Sequence, residues 1–331
     1  MSELRQNLAT REWVIIASDR ARRPTAFVDP DPAGVRPDHD PTCPFCPGNE
    51  EPELAISQTP RANPWRIRVI RNKYPALRPE GGHTRVSDGI HRQISGVGHH
   101  EVVVQSPRHG TCLALMDRAD VRLFFEVLQA RARHLAEDER IAHVALFENH
   151  GSRAGASMAH PHAQIMAIPI VPHDVRNRVV EARSYFDDTG DCVICRMLAE
   201  ELEAGTRLVE ESEYFAAFVP FAAYSPFHLW VVPRRHASSF ARMHGVDPLD
   251  DLACIMQRTL RRVYTALNDP DYNYVIRSAP IHEERSPHLH WYIAIVPRVS
   301  QAAGFELGSG MFINTALPEE SAAFLREVDI G

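Results

Sequence analysis

The chain carries the same ordered set of elements twice. Cys43-Pro-Phe-Cys46 opens one copy and Cys192-Val-Ile-Cys195 the other. HEVVVQSPRH, ending at His109, is matched by FHLWVVPRRH, ending at His236; each reads as a strand running into a Pro-marked turn that carries a His. Residues 116–138 and 247–269 follow, with apolar residues at helical spacing and an acidic start. A strand comes next in each copy, at 141–148 and 272–279. HPHAQIMAIP (160–169) then pairs with HLHWYIAIVP (288–297), both running from H-x-H through apolar residues to Pro. Repetition of this kind requires two similar folding units. Residues 173–187 read as a helix and DDTGD as the junction, so the boundary is expected near 180, dividing the chain into 1–180 and 181–331.

Composition narrows the class. The 331 residues include 44% hydrophobic and 24% charged side chains, which supports a sizeable core. With 36 basic and 43 acidic residues the net charge is −7, which argues against a nucleic-acid polymer as partner. No run approaches the ~20 apolar residues of a membrane helix. MSELRQNLATREW lacks the apolar stretch of a signal peptide, so the expected compartment is the cytoplasm. In a reducing compartment the two C-x-x-C pairs read as redox motifs or as halves of metal sites.

The His content favours metal. Cys43, Cys46, His109 and His160 make a Cys2His2 set, the composition of a closed structural zinc site. Cys192, Cys195 and His236 make most of a second, with His288 or His290 as its fourth ligand. A thioredoxin-type redox pair needs a strand before it and a helix at its second Cys; neither pair reads that way. Cys112 and Cys254 fall in or beside helical patterns and read as buried hydrophobes. If 160–169 is a strand, His160 and His162 share a face, which places an imidazole nucleophile beside a metal ligand. Upstream, ENHGSRAGASMAHPH supplies a Gly/Ser loop with free backbone N–H groups suited to an anion. Arg20, Arg22 and Arg23 form a local basic spot that suits a phosphate.

Together SDRARRP, CPFC, RNKYPAL, SPRH, FENHGSRAGASMAHPHAQ, PFHLWVVPRRH and GFELGSGMFIN resemble galactose-1-phosphate uridylyltransferases, the transferase branch of the histidine triad superfamily. The likeness runs from about Trp13 to Glu320. It implies an α+β fold of two tandem histidine-triad-like repeats, each an antiparallel sheet with packed helices and a zinc site. It also implies a homodimer with active sites near the subunit interface. The implied reaction is ping-pong: His162 attacks the α-phosphorus of a nucleotide sugar, a sugar 1-phosphate leaves, and the nucleotidyl group passes to an acceptor. His160 is implied to hold the nucleophile indirectly, with a backbone carbonyl fixing its proton. The implied second metal set is Cys192, Cys195, His236 and His290, holding zinc, or iron as the alternative. Implied substrate contacts fall on Arg20, Arg23, Asn72, Asn149, Gly155, Ser157, Gln164, Phe305 and Gly308. Gln164 stands where the hydrolases of the superfamily carry a third His; it donates hydrogen bonds but cannot supply a proton as an acid, which favours transfer. Enteric-type relatives carry a Tyr-Glu pair where this chain has Ser309-Gly310, so the sugar is unassigned. The expected activity is UDP-glucose–hexose-1-phosphate uridylyl transfer. The alternative is ADP-glucose phosphorylase, whose plant type the second half also resembles, notably at LNDPDYNY.

Overall fold

The computed structural model describes residues 2–17, 23–30 and 36–330. Two short strands come first, β1 (Glu3–Gln6) and β2 (Trp13–Ile16). The first copy then runs through β3 (Ala55–Thr59), β4 (Ile67–Arg71), the hairpin β5 (Arg85–Asp88) and β6 (His91–Ile94), and β7 (His99–Val104). It continues with α1 (Arg118–Leu135), β8 (His143–His150), β9 (His162–Ile168) and α2 (His173–Thr189). The second copy comprises α3 (Val193–Ala204), β10 (Leu208–Glu211), β11 (Phe215–Phe218), β12 (Leu229–Pro233), α4 (Val246–Leu267), β13 (Tyr272–Arg277) and β14 (Tyr292–Pro297). The chain ends with α5 (Gly304–Ser309), β15 (Phe312–Asn314) and α6 (Pro318–Arg326). Position 180 lies inside α2, the helix that leads from one copy to the other.

The two antiparallel sheets of the repeats are fused into one sheet of ten strands, in the order β10-β11-β12-β14-β13-β8-β9-β7-β4-β3. The order is palindromic: β8, β9, β7, β4 and β3 on one side match β13, β14, β12, β11 and β10 on the other. The seam is antiparallel, with Tyr274 opposite Glu148 and Asn273 opposite Asn149. Each repeat alone would leave β8 or β13 as an open edge with unpaired N–H and C=O groups; pairing the two edges satisfies both.

Both long helices pack on one face of this sheet. Val121, Phe124, Phe125 and Leu128 of α1, and Leu252, Met256, Leu260 and Val263 of α4, recur at helical spacing and are buried. They meet the alternate inward residues of the strands, such as Ala163, Ile165 and Ala167 of β9 and Ile293 and Ile295 of β14, in one continuous core. The opposite face is covered unequally. Over the second copy, α2 and α3 bury Ala182, Val193, Ile194 and Leu198 against Phe218, Trp230 and Tyr292. Over the first copy only Trp65, Ile70, Val102 and Val104 cluster, beside Phe45 and Leu54, so this face stays open to a cleft. Among the described residues no helix is long and apolar enough to cross a membrane.

One charged group sits on the helix side of the seam. Glu148 is buried, accepts a hydrogen bond from the Gln105 amide and has the Tyr272 hydroxyl 3.4 Å away. Burial pushes its carboxyl up to about 7, against the pull of His150 and the hydrogen bonds. Because the folded state binds this proton more tightly than the unfolded chain, the penalty is absent below about pH 4.5 and grows as pH rises to about 7. Glu148→Gln is therefore expected to stabilise the protein more at pH 8 than at pH 5. The difference should be on the order of 3 kcal/mol, read from denaturant unfolding at the two pH values.

Candidate active site

The first C-x-x-C loop folds against the end of β7 and the approach to β9. Cys43, Cys46, His109 and His160 are all buried, and their ligand atoms lie within 4.8 Å of one another. His160 Nδ1 is 3.7 Å from Cys43 Sγ and 3.6 Å from Cys46 Sγ, and His109 Nδ1 is 3.6 Å from Cys46 Sγ. Bonds of about 2.3 Å to sulfur and 2.05 Å to nitrogen at a tetrahedral angle separate S from N by about 3.6 Å, so the cluster fits a single tetrahedral ion. The tautomer agrees: His160 Nε2–H donates to the Ser106 carbonyl at 2.7 Å, which leaves Nδ1 as the ligand. Burial pushes His160 down to about 4, against that hydrogen bond, and so keeps the imidazole neutral.

His162 is the first residue of β9, so its strand begins two residues after the metal-side His160. Its Nδ1–H donates to the His160 carbonyl at 2.8 Å. Nε2 is then the basic nitrogen, and it makes no hydrogen bond among the described residues. Burial lowers its affinity for a second proton. Phe45, from inside the Cys pair, packs against this ring with centroids 5.3 Å apart. The metal loop thus holds one wall of the cleft against the imidazole.

The cleft has a volume of about 220 Å³ and includes His162, Gln164, Asn72, Ser157, Phe45 and Arg68 in its lining. Gln164 follows His162 on the outward face of β9, by the two-residue period of a strand. Its amide is oriented by His100, which the sequence reading missed. His100 Nδ1 accepts from the Ala76 N–H at 3.2 Å, which puts the proton on Nε2; Nε2 lies 2.9 Å from Gln164 Oε1, to which it donates, and 3.1 Å from the Asn72 amide nitrogen, which then cannot donate to it. The Gln164 NH2 group is therefore the free, donating end. Arg68 was missed as well. It is buried under the cleft, with its guanidinium 5.3 Å from the Trp65 ring and its Nη1 3.9 Å from Glu50, too far for a hydrogen bond, so that Nη1 has no hydrogen-bond partner. A charge at a buried position of the apolar strand IRVIR was the available signal.

Other expected contacts lie elsewhere in this chain. Arg20 and Arg22 are outside the described residues, and Arg23 is exposed at the start of a short 3-10 turn. Asn149 accepts from Asn273 Nδ2 at 2.8 Å across the seam, and the same Nδ2 donates to the Ala154 carbonyl. These bonds pin the Gly/Ser loop, which includes Gly155. The loop passes so close to Asp271 that a Cβ at Gly151, where φ is +83°, would overlap that carboxylate. Phe305 and Gly308 lie on α5, exposed, and do not line this cleft.

The second cluster unites Cys192, Cys195, His236 and His290. Cys195 Sγ is 3.4 Å from His236 Nδ1 and 3.2 Å from His290 Nδ1. Geometry thereby selects His290 over His288, whose nearest acid is Glu283 at 4.0 Å. One expectation is corrected. The second Cys pair does open a helix: Cys192 caps α3 and Cys195 lies in its first turn. What precedes it is the end of α2 rather than a strand, and two His close the set. The copies therefore use H-x-H in opposite ways. In the first copy the first His joins the cluster and the second faces the cleft. In the second copy the second His joins the cluster, and Tyr292 stands at the position of Gln164.

The family model described as galactose-1-phosphate uridyl transferase, N-terminal domain, matches residues 1–172, and the HIT domain model matches residues 201–298. ADP-glucose phosphorylase of Arabidopsis thaliana is 37% identical over 336 residues, covering 99% of this chain and 93% of that protein. Galactose-1-phosphate uridylyltransferase of Thermotoga maritima is 30% identical over 341 residues, covering 100% and 99%. A crystal structure of an Arabidopsis thaliana ADP-glucose phosphorylase with bound ADP-glucose matches the fold with a TM-score of 0.84 at 32% identity, each chain covered completely.

Cys46→Ser is expected to remove one equivalent of metal per chain and leave the second, as read by elemental analysis. Loss of that ion should cost on the order of 3 kcal/mol or more in stability, measured by unfolding. Full retention of both equivalents would contradict the cluster.

Proposed function

Because the chain belongs to the galactose-1-phosphate uridylyltransferase family, we propose that it moves a nucleotidyl group from a nucleoside diphosphate sugar to a phosphate-bearing acceptor, through a covalent intermediate on His162. The observation that carries this reading is the His162 imidazole. Its Nδ1–H is held by the His160 carbonyl at 2.8 Å, which leaves the Nε2 lone pair for the cleft.

In the first step Nε2 bonds to the α-phosphorus and the bond from that phosphorus to the bridging oxygen breaks. The sugar 1-phosphate departs with the electron pair. The positive charge that develops on the ring is shared with the Nδ1–H···O=C hydrogen bond. In the second step an oxygen of the acceptor bonds to the same phosphorus, and the N–P pair returns to Nε2. Two displacements replace one transfer between two bulky anions. The Gln164 amide, with its oxygen engaged by His100, offers its NH2 to the phosphoryl oxygens and supplies no acidic proton to the leaving group. The Arg68 guanidinium under the cleft favours the same charge. Asn72 and Ser157 add polar contacts on the wall.

Zinc suits both Cys2His2 sets better than iron, and held by Cys43, Cys46, His109 and His160 it supplies a rigid anchor for the loop that carries Phe45 and the His160 carbonyl. Six cysteines without a disulfide, four of them in the first and second clusters in pairs, suit a reducing, cytoplasmic setting. Phe305 and Leu307 are exposed on α5 at 46% and 80%. A homodimer that covers this helix accounts for that surface, and for the distance of Phe305 and Gly308 from their own cleft.

For the substrates, the higher identity to an ADP-glucose phosphorylase supports ADP-glucose as donor and inorganic phosphate as acceptor. The second reading is UDP-glucose with galactose 1-phosphate, supported by the full-length likeness to the Thermotoga maritima uridylyltransferase. Intact-protein mass after brief incubation with each donor and a non-acidic quench separates them. An AMP-sized gain, absent in His162→Ala, is expected; a UMP-sized gain selects the second reading, and no gain with either donor contradicts the covalent route.

His100→Ala frees the Gln164 amide to turn. It is expected to lower kcat by roughly 10- to 100-fold with little change in KM, since a misaligned donor costs mainly in the transition state. Steady-state kinetics checks this, and an unchanged kcat would contradict the positioning role.

A further inference from the structure

Among the described residues, one cavity is larger than the cleft around His162. It lies on the same face of the sheet, over the second copy, between the start of α2 and strands β13 and β14, and has a volume of about 400 Å³. This falls in the range of roughly 300–1,000 Å³ found for small-molecule sites. Most of its lining is apolar, as at Val179, Ile194 and Leu289.

Its polar lining is cationic and lacks partners. Arg178 and Arg277 both line the cavity, and neither has a carboxylate at ion-pair distance among the described residues. Arg178 Nε is buried with no hydrogen-bond partner. The two guanidiniums repel each other, and burial and that repulsion hold Arg277 below the usual arginine range. Asp174, the one carboxylate on the lining, is exposed and acts on Arg277 only from beyond ion-pair distance. Three buried histidines also line the cavity, and burial, with the two arginines, lowers His143 to about 4, so it adds polar atoms and no charge. His143, His288 and His290 are 5%, 7% and 6% exposed, and each leaves one ring nitrogen buried without a hydrogen-bond partner: Nδ1 of His143 and Nε2 of the other two. The first turn of α2, whose N–H groups have no intrahelical acceptors, also opens onto the cavity at His173 and Val175.

Two half-buried guanidiniums with no carboxylate at ion-pair distance are costly to hold together unless an anion completes them. A doubly charged phosphate matches two guanidiniums lining one cavity, and the fork geometry of Arg suits its oxygens. The apolar remainder suits a flat base better than a bare sugar, whose hydroxyls would find few partners there. We propose that this cavity is a second nucleotide site, separate from the catalytic cleft. It takes a nucleoside phosphate with its phosphate on Arg178 and Arg277 and its base against the apolar wall under α2. One wall of the site includes His290, so an occupant there lies against the second Cys/His cluster.

The test is calorimetric titration of the full-length, metal-loaded protein with AMP, and separately with inorganic phosphate, joined to hydrogen exchange of α2. The wild type is expected to bind two equivalents of AMP per chain and to show slowed exchange over residues 173–178. Arg277→Gln and Arg178→Ala should each retain one equivalent, lose the protection of α2, and still form the His162 adduct. Should Arg277→Gln fail to fold, Arg178→Ala, on a helix at the surface, carries the same test. AMP should bind this site roughly tenfold or more tightly than inorganic phosphate, because only AMP buries a base. A single equivalent in the wild type, or two equivalents retained in a folded variant, would overturn the proposal. Equal affinity for phosphate and AMP would overturn the assignment of the base. Protection of α2 that rises with protein concentration alone would overturn it in favour of a second copy of the chain.

Discussion

The antiparallel pairing of β8 with β13 organises the rest of the molecule. Each repeat by itself ends in an unpaired strand edge beside its H-x-H strand. Joining the edges closes both and places Tyr274 opposite Glu148 and Asn273 opposite Asn149. It also makes the hydrophobic core continuous from α1 to α4. With the sheet fused, all side chains of one parity face the two long helices. Those of the other parity, among them His162, Gln164, Asn149, Asn273 and Arg277, share the opposite face. The cleft around His162 and the cavity around Arg277 are therefore both on that face, one in each repeat.

What distinguishes the two is the cover. In the first repeat the outer face carries little beyond the Cys43–Cys46 loop, and Phe45 of that loop packs on His162. The cluster of Cys43, Cys46, His109 and His160 is thus more than a staple. It fixes His160, the His160 carbonyl fixes the Nδ1 proton of His162, and the remaining nitrogen is presented to the cleft. In the second repeat α2 and α3 lie across the sheet and enclose a cavity. There the cluster takes the His equivalent to His162, so no free imidazole of that kind remains. One duplicated motif has been put to two uses by which of its two His meets the sulfurs.

Much of the candidate site was legible in the residues because its signals are local. H-x-H before an apolar run, a C-x-x-C pair in a Pro-rich loop and a Gly/Ser loop each say what they are within a dozen positions. His100 and Arg68 were not legible in that way. His100 acts only because β7 pairs with β9 and brings its ring to Gln164, and Arg68 only because β4 lies beside β7. The start of α3 at Val193 was not legible either, because Cys192 caps the helix without the side-chain hydrogen bond that a Ser, Thr or Asp would make.

The sequence by itself determined the duplication, the helical and strand periods, the four-residue composition of the first cluster and three of the ligands of the second. These rest on residue type and spacing, which are properties of the chain. Tertiary structure decided the choice of His290 over His288, the fusion of the two sheets, the orientation of the Gln164 amide and the cavity that gathers Arg178 and Arg277. Each of these depends on atoms brought together from distant segments. The direction of an imidazole nitrogen, the cover over a sheet face and the gathering of two guanidiniums in one cavity are set by packing, and no local pattern encodes them.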